Sequence, residues 1–390
     1  MKLMKIILLF YLLLQISAAW PEAYLPTDDS EVLERLPVAT EEKKRLRTLQ
    51  KQANDNPKNY RLAVSLGREY LALGRSNSDP RFYGYAEALL TPWLSTQYGQ
   101  PEALVIRATI LQNRHQFKSA ISDLKAALNF NPRLPEAWLT LAAIYEAQGE
   151  HTLALRSCLA LTKFSVSLLS TACINSALSL SGQALSAYRQ LSAAVTYAHA
   201  EAAEKTWVYN LLAELAERLN LDEEADTWYQ KALAQNYRSV YLLASYADFL
   251  LDQHRHHEVL DLLDGETQAD TLLLRLTLAE QQLKSKQFDG HASLIKAKIA
   301  AAKARGDTVH QGDEARFSLQ VLKDAKTSLT LAIDNWAVQK EPRDARILLE
   351  AALAAKQPEA ARPAVQFMEK THLEDARLAS LLKQAKELAL

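Results

Sequence analysis

The chain has 390 residues, a formal net charge of −1, and 23% charged residues. Basic residues are not in excess, so the charge of the chain does not predict a nucleic-acid partner. Ten glycines are few for this length. This composition disfavours a sheet-rich protein with many tight turns and favours an all-helical one.

The first 19 residues have the pattern of a secretory signal peptide. Lys2 and Lys5 precede the apolar run Ile6–Leu14, and Ser17-Ala18-Ala19 offers small residues before Trp20. The apolar run is shorter than the roughly 20 residues that a transmembrane helix needs. We therefore expect cleavage after Ala19 and a periplasmic or secreted mature protein. That protein would have no membrane span and would associate with a membrane only through a partner. An uncleaved anchor is the alternative.

After the signal peptide, residues 20–55 read as an irregular N-terminal arm that ends in a short helix. Three prolines precede the charged run Glu41–Arg47, and the predicted helix covers about 40–54. The sequence NDNP at Asn54–Pro57 then interrupts the chain. Beyond it, Tyr60–Trp93 has the spacing of a first helical hairpin.

The clearest pattern lies between Pro101 and Val166. Two stretches begin with Pro-Glu-Ala 34 residues apart, at Pro101 and Pro135. In the second stretch, Trp138, Leu141 and Tyr145 form the i, i+3, i+7 stripe of one helix face. A helix-turn-helix unit of this kind cannot bury its apolar face alone, so it must stack on copies of itself.

This pattern resembles the tetratricopeptide repeat (TPR) family, whose signature is W-x2-L-G-x2-Y followed by A-x3-F and a late proline. Ala142 stands where the signature has glycine. The resemblance implies an all-α fold, a right-handed superhelical solenoid of antiparallel helix pairs. We expect about eight or nine hairpins over residues 56–372, clearest at 101–168 and 206–264, and a capping helix at 373–390.

The hairpin from Leu168 carries serines in place of several large apolar residues, so we expect it to pack less well than its neighbours. It also contains Cys173, while Cys158 lies in the helix before it. Those two helices should touch in a stacked array, and export would permit a disulfide between the two cysteines. The alternative is two separate buried thiols.

In the TPR family the first helix of each hairpin lines a concave groove. The resemblance implies that the partner-binding groove is formed by Gln112, Asn113, Glu136, Trp207, Asn210, Glu214, Arg218, Tyr241 and Asp248, with Glu102, Thr109 and Glu146 beside them. Acidic and aromatic side chains together predict a polar or basic, peptide-like partner. The alternative is an ordinary solvated helix face.

Catalytic signatures are missing from the sequence. It has no phosphate-binding loop, no dinucleotide fingerprint, no HExxH, no CxxC and no nucleophile elbow. We therefore expect neither an enzyme nor a cofactor.

The densest unusual cluster is His254, His256, His257 and Glu258, in the turn of the hairpin that begins at Val240. Imidazole and carboxylate groups could bind zinc, copper or nickel there. An exposed polar turn is the more ordinary interpretation, because no fourth ligand is evident. The sequence thus favours a protein-interaction scaffold in the bacterial periplasm, in envelope assembly or secretion. A metal-handling protein and an oligomerising structural element are the alternatives.

Overall fold

The computed structural model describes residues 41–94, 100–164 and 167–388. The predicted signal peptide at 1–19 and the arm at 20–40 lie outside the described residues. The chain divides into two compact units, Met1–Thr48 and Leu49–Leu390. Apart from the start of the first helix, the description below concerns the second unit. Among the described residues, no helix is both long and apolar enough to span a bilayer.

The described residues form α-helices and no strands. Helices α1 to α20 occupy, in order, Glu41–Asp55, Tyr60–Asn77, Arg81–Leu94, Pro101–Asn113, Phe117–Phe130, Pro135–Ala147, His151–Thr162, Leu168–Ser179, Ala184–Thr196, Ala202–Arg218, Asp222–Leu233, Val240–Asp252, His256–Leu262, Asp270–Leu283, Phe288–Ala304, Gln311–Gln320, Ala325–Val338, Pro342–Ala354, Arg362–Thr371 and Ala379–Leu388. Two short 3-10 helices, Pro358–Ala361 and Ala376–Leu378, flank α19.

The helices pack as consecutive pairs, nine of them among the described residues, from α2/α3 to α18/α19. Proline occupies the first turn of α4, α6 and α18, where its missing N–H costs nothing. Ala108 on α4 and Ala120 on α5 are completely buried, so the two helices approach closely. The predicted all-α, TPR-like solenoid of helix pairs is confirmed.

The hairpin from Leu168, which we expected to pack less well than its neighbours, has a buried core of its own. Ala172, Ala187 and Leu191 are completely buried. The serine hydroxyls of α8 and its N-cap form hydrogen bonds within the helix, except that of Ser176, which donates to Glu146 of α6. Ser167 and Ser170 form a capping box at the start of α8, and the Ser179 hydroxyl donates to the Ser176 carbonyl at 2.7 Å. Replacing large side chains by serine therefore leaves no unpaired polar group at these positions.

Cys158 on α7 and Cys173 on α8 form a disulfide, with a Cα–Cα distance of 5.4 Å. Both cysteines are buried and pack with Ala142 and Leu161. The bond joins adjacent hairpins and closes a loop with a sequence separation of 15. It therefore restricts the unfolded chain locally, where the two hairpins meet.

Replacing both cysteines by alanine should lower the free energy of unfolding by about 3 kcal/mol, the expected effect of closing a loop of this length. Urea unfolding of the two proteins without reductant measures the difference. Dithiothreitol should shift the midpoint of the wild type and leave that of the double variant unchanged. Equal midpoints for wild type and variant would contradict this role.

The segment from Lys340 to His372 packs against the turns of the third and fourth helix pairs. At Gly149 the backbone has φ +75°, and a Cβ would come within 2.5 Å of Phe367. At Gly182 the φ is +76°, and a Cβ would lie 2.9 Å from that of His372. The N–H of Lys340 donates to the Ala147 carbonyl at 2.8 Å. These contacts bring the end of the solenoid back onto its middle.

Candidate binding surface

The predicted groove residues differ widely in accessibility. Trp207 exposes 38% of its surface and Tyr241 exposes 46%. Glu136 is exposed, and Gln112, Asn113, Glu146, Glu214 and Asp248 are partly exposed. Asn210, Arg218 and Thr109 are buried. The exposed aromatic pair lies on α10 and α12, the first helices of successive pairs.

Arg218 is buried, so it is not accessible to a partner in the way that the resemblance implied. It ends α10 and points into the packing with α8, where it donates to the Ser179 carbonyl at 3.2 Å and to the Ser179 hydroxyl at 2.7 Å. Asn210 is equally inaccessible, with 3% exposure. The repeat register places both residues on the right helix, but contacts between hairpins bury them.

Asp248 belongs to a chain of ion pairs that connects the first helices α12, α14 and α16. Arg275 donates to Asp248 at 2.7 Å and to Asp313 at 3.0 Å, and Arg316 also pairs with Asp248. Burial alone would raise the pKa of Asp248, but the two guanidinium groups hold it well below its ordinary value. Asp248 is therefore ionised and links neighbouring hairpins through its ion pairs with Arg275 and Arg316.

Tyr241 faces a polar recess between α10, α12 and α18. The guanidinium carbon of Arg343 lies 5.4 Å from the centroid of its ring. Glu214 is beside the hydroxyl of Tyr241 and accepts a hydrogen bond from Ser245 at 2.9 Å. Burial, together with Glu214, raises the pKa of the Tyr241 hydroxyl well above its ordinary value. The phenol is therefore neutral throughout the physiological range, and Glu214 is its hydrogen-bond partner.

Helix α18 lies opposite α12 and is fastened to it by a second arginine. Arg346 donates through Nη2 to Asp252 at 2.8 Å and through Nε to Glu350 at 2.8 Å. Asp252 and Arg346 are 94 residues apart in the sequence. The first helix of the ninth pair therefore lies across the concave side of the sixth.

Glu146, at the end of α6, is a carboxyl group whose pKa is strongly shifted by its surroundings. It accepts a hydrogen bond from the Ser176 hydroxyl at 3.0 Å. Burial raises its pKa to about 8; Glu341 adds to the rise, while Ser176 and Arg218 oppose it. The side chain is therefore largely protonated in the folded protein at neutral pH.

Glu146→Gln should flatten the pH dependence of stability. Between pH 4.5 and about 8 the folded protein retains a proton that the unfolded chain has lost, so wild-type stability falls as pH rises through this range. The amide cannot ionise, so the variant should lose less stability between pH 5 and pH 8. Urea midpoints across this range measure the slopes, with Glu136→Gln on the exposed face as the control. Parallel curves for wild type and Glu146→Gln would contradict the assignment.

The histidine turn does not assemble a ligand set. Among the described residues, no group of three or more His, Cys, Asp or Glu side chains is arranged to hold a metal ion. His254 and His256 have ring centroids 5.9 Å apart. Both oxygens of Glu258 accept from Arg255, at 2.7 and 2.6 Å. The carboxylate that the proposed site needed is thus committed to a neighbouring guanidinium, and the metal alternative has no structural support.

Sequence reasoning missed the arginines of the last hairpin, Arg343 and Arg346. Both belong to α18, in which the repeat pattern was used to identify only the apolar core positions. Their positions two and five of that hairpin are groove positions in the same numbering that located Trp207 and Tyr241. Assigning positions two and five of every hairpin to the groove would have identified both arginines. It would not have identified the residues that they contact.

The fold and this surface define a class: a TPR-like helical-repeat solenoid whose concave side combines exposed aromatic rings with carboxylates. No family model matches the sequence, and no curated protein matches it either. Among solved structures, one similar chain is from the APC/C hetero-tetramer Cut9-Hcn1, with 12% identity and a TM-score of 0.43. That match covers 88% of this chain and 52% of the other, so the protein spans about half the length of that relative.

Two further structures are similar over most of both chains. Yeast Tom70 has 9% identity and a TM-score of 0.42, with 89% of this chain and 85% of that chain covered. The human IFIT1 dimer with m7Gppp-AAAA has 15% identity and a TM-score of 0.39, with 89% and 86% covered. These similarities concern the fold alone, so any function must follow from the surface of this protein itself.

Proposed function

We propose that the protein is a non-catalytic scaffold that binds a protein or peptide partner on its concave face. The observation that carries this proposal is the exposed pair Trp207 and Tyr241 on successive first helices, with Glu214 beside Tyr241. Large aromatic side chains are the usual anchors of protein interfaces, and neighbouring carboxylates select polar or basic partners. Binding on this preformed surface would be an equilibrium without turnover.

We further propose that the protein acts in the bacterial periplasm, in assembly or secretion of envelope components. The signal-like sequence of residues 1–19 supports export. The disulfide between Cys158 and Cys173 supports it independently, because such bonds persist in oxidising compartments. A fusion of residues 1–25 to a reporter that is active only after export tests the location. A reporter that stays inactive would overturn it.

The binding proposal is tested by crosslinking pull-down from periplasmic extracts with the full mature chain as bait. Trp207→Ala and Tyr241→Ala should each reduce recovery of the partner seen with wild type. The matched control is Tyr197→Ala, because Tyr197 is 86% exposed at the end of α9 and is not a groove residue. Equal recovery by all four proteins, with unchanged urea midpoints, would overturn the proposal.

A further inference from the structure

The concave side that would receive a partner is partly occupied by the chain itself. Helix α18 reaches α12 through Arg346 and Asp252, and its Arg343 lies over the ring of Tyr241. Just before the helix, Lys340 is bonded to the end of α6. An arginine of the same chain therefore lies on the aromatic ring that is the best candidate anchor for a partner.

Arg343 is held far less firmly than Arg346. Its side chain is 55% exposed, and its ion pair is with Glu341, only two residues away. The contact with the Tyr241 ring is a partly exposed cation–π interaction, a type worth about 0.5–1 kcal/mol. Arg346, in contrast, makes two bonds to Asp252 and one to Glu350. Arg343 can therefore leave the ring while α18 stays in place.

The recess beneath Arg343 is suited to a cation. Glu214 and Glu341 are both close enough to act on Tyr241 and Arg343 electrostatically. The buried Arg218 cannot replace Arg343, because both its terminal nitrogens are bonded to Ser179. If Arg343 turns away, the Tyr241 ring loses the cation that lies over it, and Glu214 loses one of its positively charged neighbours. A guanidinium fits this pair better than an ammonium, because it stacks on rings and bonds carboxylates through its planar edge.

We propose that Tyr241 and Glu214 form an arginine-binding site, that Arg343 occupies this site within the chain, and that an exposed arginine of the partner protein replaces it. This inference rests on the proposed function and specifies both the partner's chemistry and the internal competitor. Binding strength would then depend on how easily Arg343 is displaced. Removing Arg343 should increase affinity, which is the reverse of the effect expected for an ordinary contact residue.

The test uses the full mature chain and a blocked Gly-Gly-Arg-Gly-Gly peptide as the probe. The same peptide with citrulline in place of arginine is the neutral control. Binding is followed by the NMR shift of the 13C-labelled Tyr241 ring, assigned with Tyr241→Phe. The proteins compared are wild type, Arg343→Gln, Arg343→Lys and Arg343→Gln/Glu214→Gln.

Arg343→Gln should bind the arginine peptide about twofold to fivefold more tightly than wild type does. Arg343→Lys should fall between the two, and adding Glu214→Gln should remove the gain. The citrulline peptide should not bind to any of them. Equal affinity of wild type and Arg343→Gln, or an unchanged gain in the double variant, would overturn the inference. Because Arg343 is half exposed, unchanged urea midpoints are expected for its single variants.

The two proposals can fail separately. If partner recovery depends on Trp207 and Tyr241 but Arg343→Gln gains no arginine binding, the scaffold function holds and the arginine site is wrong. If the arginine peptide binds as expected but partner recovery is unchanged in Trp207→Ala and Tyr241→Ala, the arginine site is correct and its use for partner binding is wrong.

Discussion

Arg275→Ala should lower the free energy of unfolding by about 3–5 kcal/mol, the usual effect of removing one member of a buried ion pair. The Arg275 side chain is 5% exposed and donates to Asp248 and Asp313, on the helices to either side. Without it, Asp313 loses this guanidinium partner and Asp248 keeps only Arg316. Urea unfolding followed by circular dichroism measures the loss.

The matched control for Arg275→Ala is Arg68→Ala. Arg68 also joins two first helices, by bonding Glu136 at 3.0 Å, but both side chains of this pair are about half exposed. Exposed pairs contribute about 0–1 kcal/mol, so this variant should stay close to wild type. Losses of similar size in the two variants would show that burial does not set the strength of these bridges.

The repeat pattern predicted those features that depend on neighbouring hairpins. A 34-residue spacing fixed where α4 and α6 begin, because proline and the apolar stripe mark each start. It also placed Cys158 and Cys173 on helices that touch, and the disulfide follows from that local geometry. Such relations recur at every step of the stack, so a sequence with a visible period is enough to anticipate them.

Features that depend on the accumulated rotation of many hairpins could not be anticipated in this way. The contact between Asp252 and Arg346 spans 94 residues, and it exists only because the stack curves far enough to bring α18 against α12. Small angles at each interface decide that curvature, and no single motif encodes them. The burial of Arg218 was not anticipated either, because the C-terminal residues Asp375 and Arg377 lie near it as well as Ser179 of the adjacent hairpin.

The candidate surface was predicted in part. Trp207, Tyr241 and Glu214 are at accessible positions, because their exposure is set by the face of their own helix. The available area of that surface is set by α18, whose Arg343 covers one of the two rings. The repeat pattern therefore identifies which side chains lie on the concave side. The contact of α18 with α12 determines which of them are accessible to a partner.

The packing of the C-terminal segment against α10 depends on Arg377. Arg377→Ala should lower the free energy of unfolding by about 3–5 kcal/mol. Arg377 lies in the 3-10 helix before α20 and donates to Glu217 of α10 at 2.6 Å and to Asp375 at 2.8 Å. The Glu217 and Asp375 side chains are only 5% and 0% exposed. Removing the guanidinium leaves two carboxyl groups buried without their cation, so the segment from Arg362 to Leu388 should also exchange amide hydrogens faster.

Acidification should reduce the defect of Arg377→Ala. Burial raises the pKa of Glu217 to about 8, and Arg377 acts to lower it, so losing the arginine raises it further. A carboxyl group with a raised pKa in the folded state is penalised most above that value, and the penalty shrinks as protonation neutralises it. Wild-type Glu217 ionises above about pH 8 while the variant's stays protonated, so the loss of stability should be smaller at pH 5 than at pH 9. Lys386→Ala, which removes a half-exposed pair with Glu369, is the control and should show no such difference. A defect of equal size at both pH values would mean that Arg377 acts through packing, and not through the charge it supplies to Glu217.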